Sequence, residues 1–158
     1  MSKTENLQEN PALRLEEAIG YLTYRAQVAF RFSMNQALER HGFGDFGLEQ
    51  WRVLRALWVQ EGLTQNEIGV LHLKDKTNVT RLIDQLEKKG LVERRNDPAD
   101  RRVFRIFLTK DGKAMKKKLL PIGVEVRTRA IEGLSDEDVR TATRVLRTMT
   151  ENLLADDD

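Results

Sequence analysis

Asn78, Thr80 and Arg81 place an amide, a hydroxyl and a guanidinium within four residues, close to the start of a predicted helix. These are the groups that hydrogen-bond to base edges in a DNA major groove. Thr77 adds a second hydroxyl beside them. Further on, Asn96-Asp97-Pro98-Ala99-Asp100-Arg101-Arg102 ends a turn-forming run with two arginines, which suit phosphates or a narrow minor groove. From Lys74 to Arg105 there are ten Lys or Arg against six Asp or Glu, a local excess of +4 where the whole chain carries +2. The excess is modest, so the order of the elements must carry the reading. Enzyme chemistry finds no comparable constellation. His41 and His72 fall in predicted breaks without a zinc-type ligand set, and the glycines from 42 to 47 lack dinucleotide-binding spacing and follow a helix. No catalytic residue, metal or cofactor is expected, and the chain is read as a non-enzyme.

The elements that must position these groups run from Thr64 to Leu108. Thr64-Gln65-Asn66-Glu67 has capping-box form, in which hydroxyl and carboxylate each satisfy an orphan amide at a helix start. Ile68 and Leu71 then supply a short apolar face. A turn at His72-Leu73-Lys74-Asp75 follows, with Asp75 as the next N-cap. Val79, Leu82, Ile83 and Leu86 recur at i, i+3, i+4 and i+7 and form one buried stripe. At about 100° per residue, Thr77 and Arg81 project away from that stripe, with Asn78 and Thr80 on its shoulders. Lys88-Lys89-Gly90 closes the helix with cations at its negative end and Gly at C′. The period then changes to two: Leu91 to Arg95 is one strand, and Phe104, Ile106 and Leu108 mark the inner face of a second. Helix, turn, helix and a basic-tipped hairpin make a winged helix, with the second helix directed at the major groove.

The flanks are helical. One helix is expected from about Ala12 to Arg40, striped by Leu15, Ile19, Leu22, Ala26, Ala29, Phe30 and Ala37. Val28, Phe32 and Met34 lie off that stripe, so the helix buries more than one face, as a dimer interface requires. A glycine-rich break follows, then a helix from Leu48 to about Gln60 with Trp51, Leu54, Leu57 and Trp58 inward. Thr109 opens a helix to about Glu132 that carries the solvated run Lys116-Lys117-Lys118 and is kinked by Pro121. Ser135 to Asp138 caps a last helix striped by Val139, Ala142, Leu146, Met149 and Leu153. Residues 1–10 read as a loose arm and Asp156–Asp158 as a frayed tail. The fold class is mainly α with a small β-hairpin wing, in a single domain spanning 1–158. Residues 48–108 form the winged-helix lobe, with the helix-turn-helix at about 64–87 and the wing at about 91–108. Residues 12–40 and 112–153 form a helical dimerisation body. No run approaches the ~18 apolar residues of a membrane span, and MSKTENLQEN does not resemble a signal peptide. A cytoplasmic protein without membrane contact is expected. The absence of cysteine rules out disulfides and thiol redox sensing.

Three stretches bring in a family. Gln50-Trp51-Arg52-Val53-Leu54, Leu86 to Arg94, and Asp100-Arg101-Arg102 followed by Leu108-Thr109-Lys110-Asp111-Gly112 resemble the MarR family of bacterial regulators, over about residues 12 to 153. The resemblance implies a homodimeric winged-helix transcription factor, usually a repressor released from its operator by a small ligand. It implies that Arg102 enters the minor groove and that Asp100 steadies the wing or a recognition-helix arginine, for which Arg81 is the candidate. It also implies an effector crevice beside the dimerisation helices, often for aromatic acids or phenols, which Tyr21, Tyr24, Arg25, Trp51 and Arg52 are placed to line. The plainer alternative makes Trp51 core and the arginines solvated. Where the family has a Thr before the second helix this chain has Gly47-Leu48, so a weaker cap is expected.

The expected DNA contacts are therefore Thr64, Gln65, Lys74, Lys76, Thr77, Asn78, Thr80, Arg81, Asp100, Arg101 and Arg102. Lysines and wing arginines would mostly meet phosphates, while Asn78, Thr80 and Arg81 would discriminate bases. A two-fold dimer calls for a pseudo-palindromic operator. A low-specificity architectural DNA binder and a winged helix used for protein contacts are the rival readings.

Overall fold

The computed structural model describes residues 18–155. The expected arm over 1–10, the start of the first helix including Leu15, and Asp156–Asp158 lie outside them. The elements in order are α1 (Ile19–Arg40), α2 (Leu48–Val59), β1 (Leu63–Thr64), α3 (Gln65–His72), α4 (Lys76–Lys88), β2 (Val92–Asn96), β3 (Phe104–Leu108), α5 (Lys110–Ala130) and α6 (Asp136–Leu154). The architecture is mostly helical with a small antiparallel sheet, as expected from the sequence.

Capping chemistry explains the helix starts. Thr64 Oγ1 accepts from the Glu67 amide at 3.2 Å while Glu67 Oε2 accepts from the Thr64 amide at 2.7 Å. Ser135 and Asp138 repeat this reciprocal pair on α6. Asp75 Oδ1 accepts the Asn78 amide at 2.9 Å and opens α4, and Thr109 Oγ1 accepts the Gly112 amide at 3.0 Å and opens α5. Gly47 offers α2 no side-chain cap, but Asn35 Oδ1 of α1 accepts the Leu48 amide at 3.3 Å. The missing cap is thus supplied by a neighbouring helix.

The core lies where α2, α3, α4, the sheet and α5 converge. Val79, Leu82, Ile83 and Leu86 are all buried, as their spacing requires. Ile106 and Leu108 are buried as well, but Phe104 is 44% exposed because β3 runs beyond the core toward the wing tip. Leu71 is likewise exposed, at 59%. After Ile68, the buried face of α3 continues through Gly69, whose missing side chain leaves room for the Lys74 carbonyl and for Val79. Leu73 ends α3 in the left-handed region at φ 50° and turns the chain into α4. The sheet order is β1-β3-β2, so Leu63-Thr64 adds a third strand that the sequence reading lacked, paired with Ile106 and Arg105.

Two tryptophans fasten α2 to α5. Trp58 Nε1 donates to the Gly112 carbonyl at 3.0 Å, and Trp51 Nε1 donates to the Leu119 carbonyl at 3.4 Å. Trp51 is buried and Trp58 partly so. A Cβ on Gly123 would lie 2.4 Å from the Trp51 ring, so only glycine lets α5 approach this closely. Pro121 sits within α5 without interrupting it.

The terminal helices behave differently. Of α1, only Met34, Ala37 and Leu38 are buried. Ile19, Leu22 and Phe30 of the expected stripe, and Phe32 beside it, are exposed, so within one chain the described part of the stripe is buried only at Ala37. No residue of α6 is buried among the described residues, and Leu146 and Leu153 of its apolar stripe are exposed. The foot of α1 is held to α5 by Arg40 and His41, which lie 2.7 and 2.9 Å from the Glu125 carboxylate.

Gly112→Ala should test the core geometry, since its Cβ would fall 1.9 Å from the Leu91 carbonyl oxygen. Backbone cannot yield cheaply there, so a loss of at least about 1–3 kcal/mol is expected in denaturant unfolding. An unchanged midpoint would contradict this packing.

Candidate nucleic-acid interface

The start of α4 is a polar surface built on its cap. Thr77 and Arg81 are exposed, and Asn78 and Thr80 are partly exposed on either side of the buried stripe. Asn78 Nδ2 donates to Asp75 Oδ2 at 2.7 Å, and Arg81 approaches Asn78 Oδ1 at 3.5 Å. Hydrogen bonds from the Asn78 amide hold the Asp75 carboxyl below its ordinary pKa, so the cap stays ionised. Lys76 and Arg102 flank a groove of about 800 Å³ between the helix-turn-helix and the wing, with Thr64, Gln65, Thr80 and Phe104 on its walls. Arg101 is exposed on the wing.

Several expected contacts are engaged inside the protein. Gln65 Nε2 donates to Thr80 Oγ1 at 2.9 Å, and that hydroxyl donates to the Lys76 carbonyl at 2.9 Å. Gln65 Oε1 accepts from Arg94 Nε at 3.3 Å. Gln65 and Thr80 thus tie α3 to α4. Lys74 lies 2.9 Å from Glu49 of α2. Asp100 does not reach Arg81: it takes Arg102 Nε at 3.2 Å, Arg102 Nη2 at 3.3 Å and the Arg102 amide at 3.0 Å. A carboxylate two residues from a guanidinium in the same loop closes that pair locally, which leaves Arg81 with Asn78.

Two clamps absent from the sequence reading set the wing's angle. Arg94 donates to Asp84 Oδ1 at 2.6 Å and to Glu87 Oε2 at 2.5 Å, joining β2 to the far half of α4. Asp97, only 6% exposed, accepts the Ala99 amide at 2.7 Å and bonds Arg105, which also donates to the Gly62 carbonyl at 2.8 Å. The Ala99 amide first, and then Arg105, hold the Asp97 carboxyl below its usual range. Spacing carries no signal for the Arg94 clamp, whose partners lie on α3 and α4, or for the reach of Arg105 to Gly62.

A second concavity of about 360 Å³ opens between α1, α2 and α5. Phe30, Met34 and Trp51 give it apolar walls, and Arg52, Arg55 and Arg127 bring cations to it. Arg55 stacks over the Trp51 ring at 5.3 Å. Trp51 and Arg52 therefore line the cavity, whereas Tyr21, Tyr24 and Arg25 do not. Gln27, Phe30 and Met34 define the α1 face over it. At about 100° per residue, Tyr21 and Arg25 point to the opposite side and Tyr24 to the flank. Arg25 instead lies over the Tyr21 ring at 5.9 Å.

A model of the MarR family matches residues 47–104, which hold α2, the helix-turn-helix and the wing. The HTH-type transcriptional regulator TtmR of Methylorubrum extorquens is 34% identical over 105 residues, which are 66% of this chain and 52% of TtmR. Residues 47–104 of this chain form a MarR-family domain. The chain spans about half the length of TtmR, but it matches solved MarR-type regulators over nearly their whole length. CouR of Rhodococcus jostii, bound to p-coumaroyl-CoA, is 28% identical with a TM-score of 0.76, over 85% of this chain and 93% of CouR. BpsR of Bordetella bronchiseptica, whose DNA binding is regulated by 6-hydroxynicotinic acid, is 25% identical with a TM-score of 0.77, over 90% of this chain and 96% of BpsR. The relatives are transcriptional regulators, and the MarR-family fold places the α4 surface and the wing side by side.

The Asp97 clamp makes an acid-stability prediction for this MarR-family wing. A carboxyl whose pKa is lowered by folding adds stability above its unfolded value, about 3.9. That stability is lost as pH falls through the lower folded value. Asp97→Asn should therefore unfold at lower denaturant than wild type at pH 7, and the gap should close below about pH 4. A gap that persists undiminished at pH 2 would show that the Asp97 charge is not what holds the loop.

Proposed function

We propose that the chain is a homodimeric repressor that reads a pseudo-palindromic operator and is released by a small anionic aromatic ligand. The observation that carries this reading is the exposed start of α4, where Thr77, Asn78 and Arg81 stand on a capped, buried-stripe helix beside a wing bearing Arg101 and Arg102. Amide and guanidinium groups there suit base edges, and the wing arginines suit phosphates or the minor groove.

The dimer follows from uncovered apolar surface. Ile19, Leu22 and Phe32 of α1 and Leu146 and Leu153 of α6 leave apolar surface uncovered on both helices inside one chain. A second copy related by a two-fold axis covers both faces and turns one recognition helix into two. Half-sites about one helical turn apart, ~10 bp, are then required.

The cavity between α1, α2 and α5 supports the effector reading. Its walls are apolar and aromatic, its polar groups include three arginines, and the regulator BpsR responds to an aromatic acid. A ligand shifts the dimer only by the difference in its affinity for the binding and non-binding arrangements.

Titration of the protein against its own upstream intergenic DNA, with random competitor at two salt concentrations, tests the reading. Selective, salt-sensitive binding is expected. In the same assay Arg81→Ala should cost roughly 1–3 kcal/mol at one base pair and relax preference there, while Arg102→Ala should weaken binding to all sequences and flatten the salt dependence. Equal competition by random DNA would instead indicate an architectural binder, and no binding at either salt would indicate a protein-contact module.

A further inference from the structure

Glu49 sits between the two concavities. Its Oε1 accepts from Arg52 Nη1 at 3.2 Å, and its Oε2 lies 2.9 Å from Lys74 Nζ. Arg52 lines the cavity between α1, α2 and α5, and Lys74 lines the groove between the helix-turn-helix and the wing. One carboxylate therefore touches a wall residue of each. The two contacts are unequal. The bond to Arg52 has good geometry, whereas Glu49 Oε2 is buried and accepts no well-aligned hydrogen bond, so Lys74 is held by charge alone. Lys74 directly precedes Asp75, the cap of α4.

The surroundings leave few competitors. His72 faces Glu49, Arg52 and Lys74, and its Nε2 is buried without a hydrogen-bond partner among the described residues. Burial holds this imidazole below its ordinary pKa, which keeps it neutral at pH 7 and leaves Arg52 and Lys74 as the cations sharing Glu49.

We infer that Glu49 is a positioning residue that couples the cavity to the DNA-facing groove by dividing its charge between Arg52 and Lys74. A carboxylate that enters the cavity and draws Arg52 away leaves Glu49 wholly to Lys74. The lysine is then turned from the groove, and a phosphate contact is lost. Occupied cavity and weakened DNA binding become one exchange of ion pairs, without a rearranged core. The inference rests on the DNA-binding reading above.

A double-mutant cycle tests it without knowledge of the ligand. The probe is a random-sequence duplex, and the readout is affinity across a salt series, with thermal unfolding to confirm folding. Arg52→Gln mimics capture of the arginine and should weaken binding, lowering the salt slope by up to about 0.9 for one phosphate contact. Glu49→Gln should release Lys74, strengthen binding and steepen the slope by a similar amount. The double variant should match Glu49→Gln, because Arg52 acts through that carboxylate. In a Lys74→Gln background neither change should alter binding beyond the small uniform effect of net charge, and this arm stands even where Glu49→Gln folds poorly. An Arg52→Gln loss that persists in full beside Glu49→Gln or Lys74→Gln would overturn the coupling while leaving DNA binding intact. A wild-type protein that binds no duplex at any salt would overturn the DNA-binding reading itself.

Discussion

The guanidinium of Arg94 ties together three parts of the winged helix. It spans from β2 to Asp84 and Glu87 on α4 and to Gln65 at the start of α3, and Gln65 in turn holds Thr80. Arginine suits the task because its planar fork offers five donors in fixed directions, where a lysine ammonium is a single charge on a flexible stem. The side chain is mostly buried while its acidic partners are half-exposed, so the pairs act more through geometry than through raw Coulomb energy. Asp97 and Arg105 add a second fixing point at the base of the wing. Together they set the angle between α4 and the hairpin, which the proposed contact of both with one duplex would require.

Above the winged helix, α2 joins it to α1 and α5, and the start of α5 also packs directly on Leu91. The tryptophans of α2 donate to carbonyls of α5, and Gly123 lets α5 approach within contact of the Trp51 ring. The N-terminus of α2 is capped by Asn35 of α1, and its Glu49 meets the turn between α3 and α4. The uncovered apolar faces of α1 and α6 bear on the same arrangement, since a partner seated on them would fix where the two winged helices stand.

The parts of the structure legible in the sequence were those governed by local rules. The i, i+3, i+4, i+7 stripe of α4, the capping pairs at Thr64, Asp75 and Ser135, and the strand period of the wing depend on neighbours within a few residues. Features set by distant partners were not legible. Phe104 alternates correctly but lies past the core, and Leu71 continues a helical period that the left-handed turn at Leu73 cuts short. The two-residue β1 is too short to show a period. In the site, residue type identified polar groups but not their engagement: Gln65 and Thr80 bond each other, and Asp100 closes on Arg102 instead of Arg81. Arg94 and Arg105 looked like ordinary wing charges because Gln65, Asp84, Glu87 and Gly62 lie on other elements, while the Asp97–Arg105 pair spans the hairpin without a spacing signature. The cavity residues Phe30, Arg55 and Arg127 carry no motif, and Tyr21, Tyr24 and Arg25 fell off the cavity face through helical phase alone.

The most direct test of a two-fold DNA reader is selection of bound sites from a random duplex pool, using the full-length protein at moderate salt. An enriched inverted repeat is expected, with half-site centres about one helical turn apart, ~10 bp. Enrichment of no motif, or of a single unrepeated half-site, would contradict it.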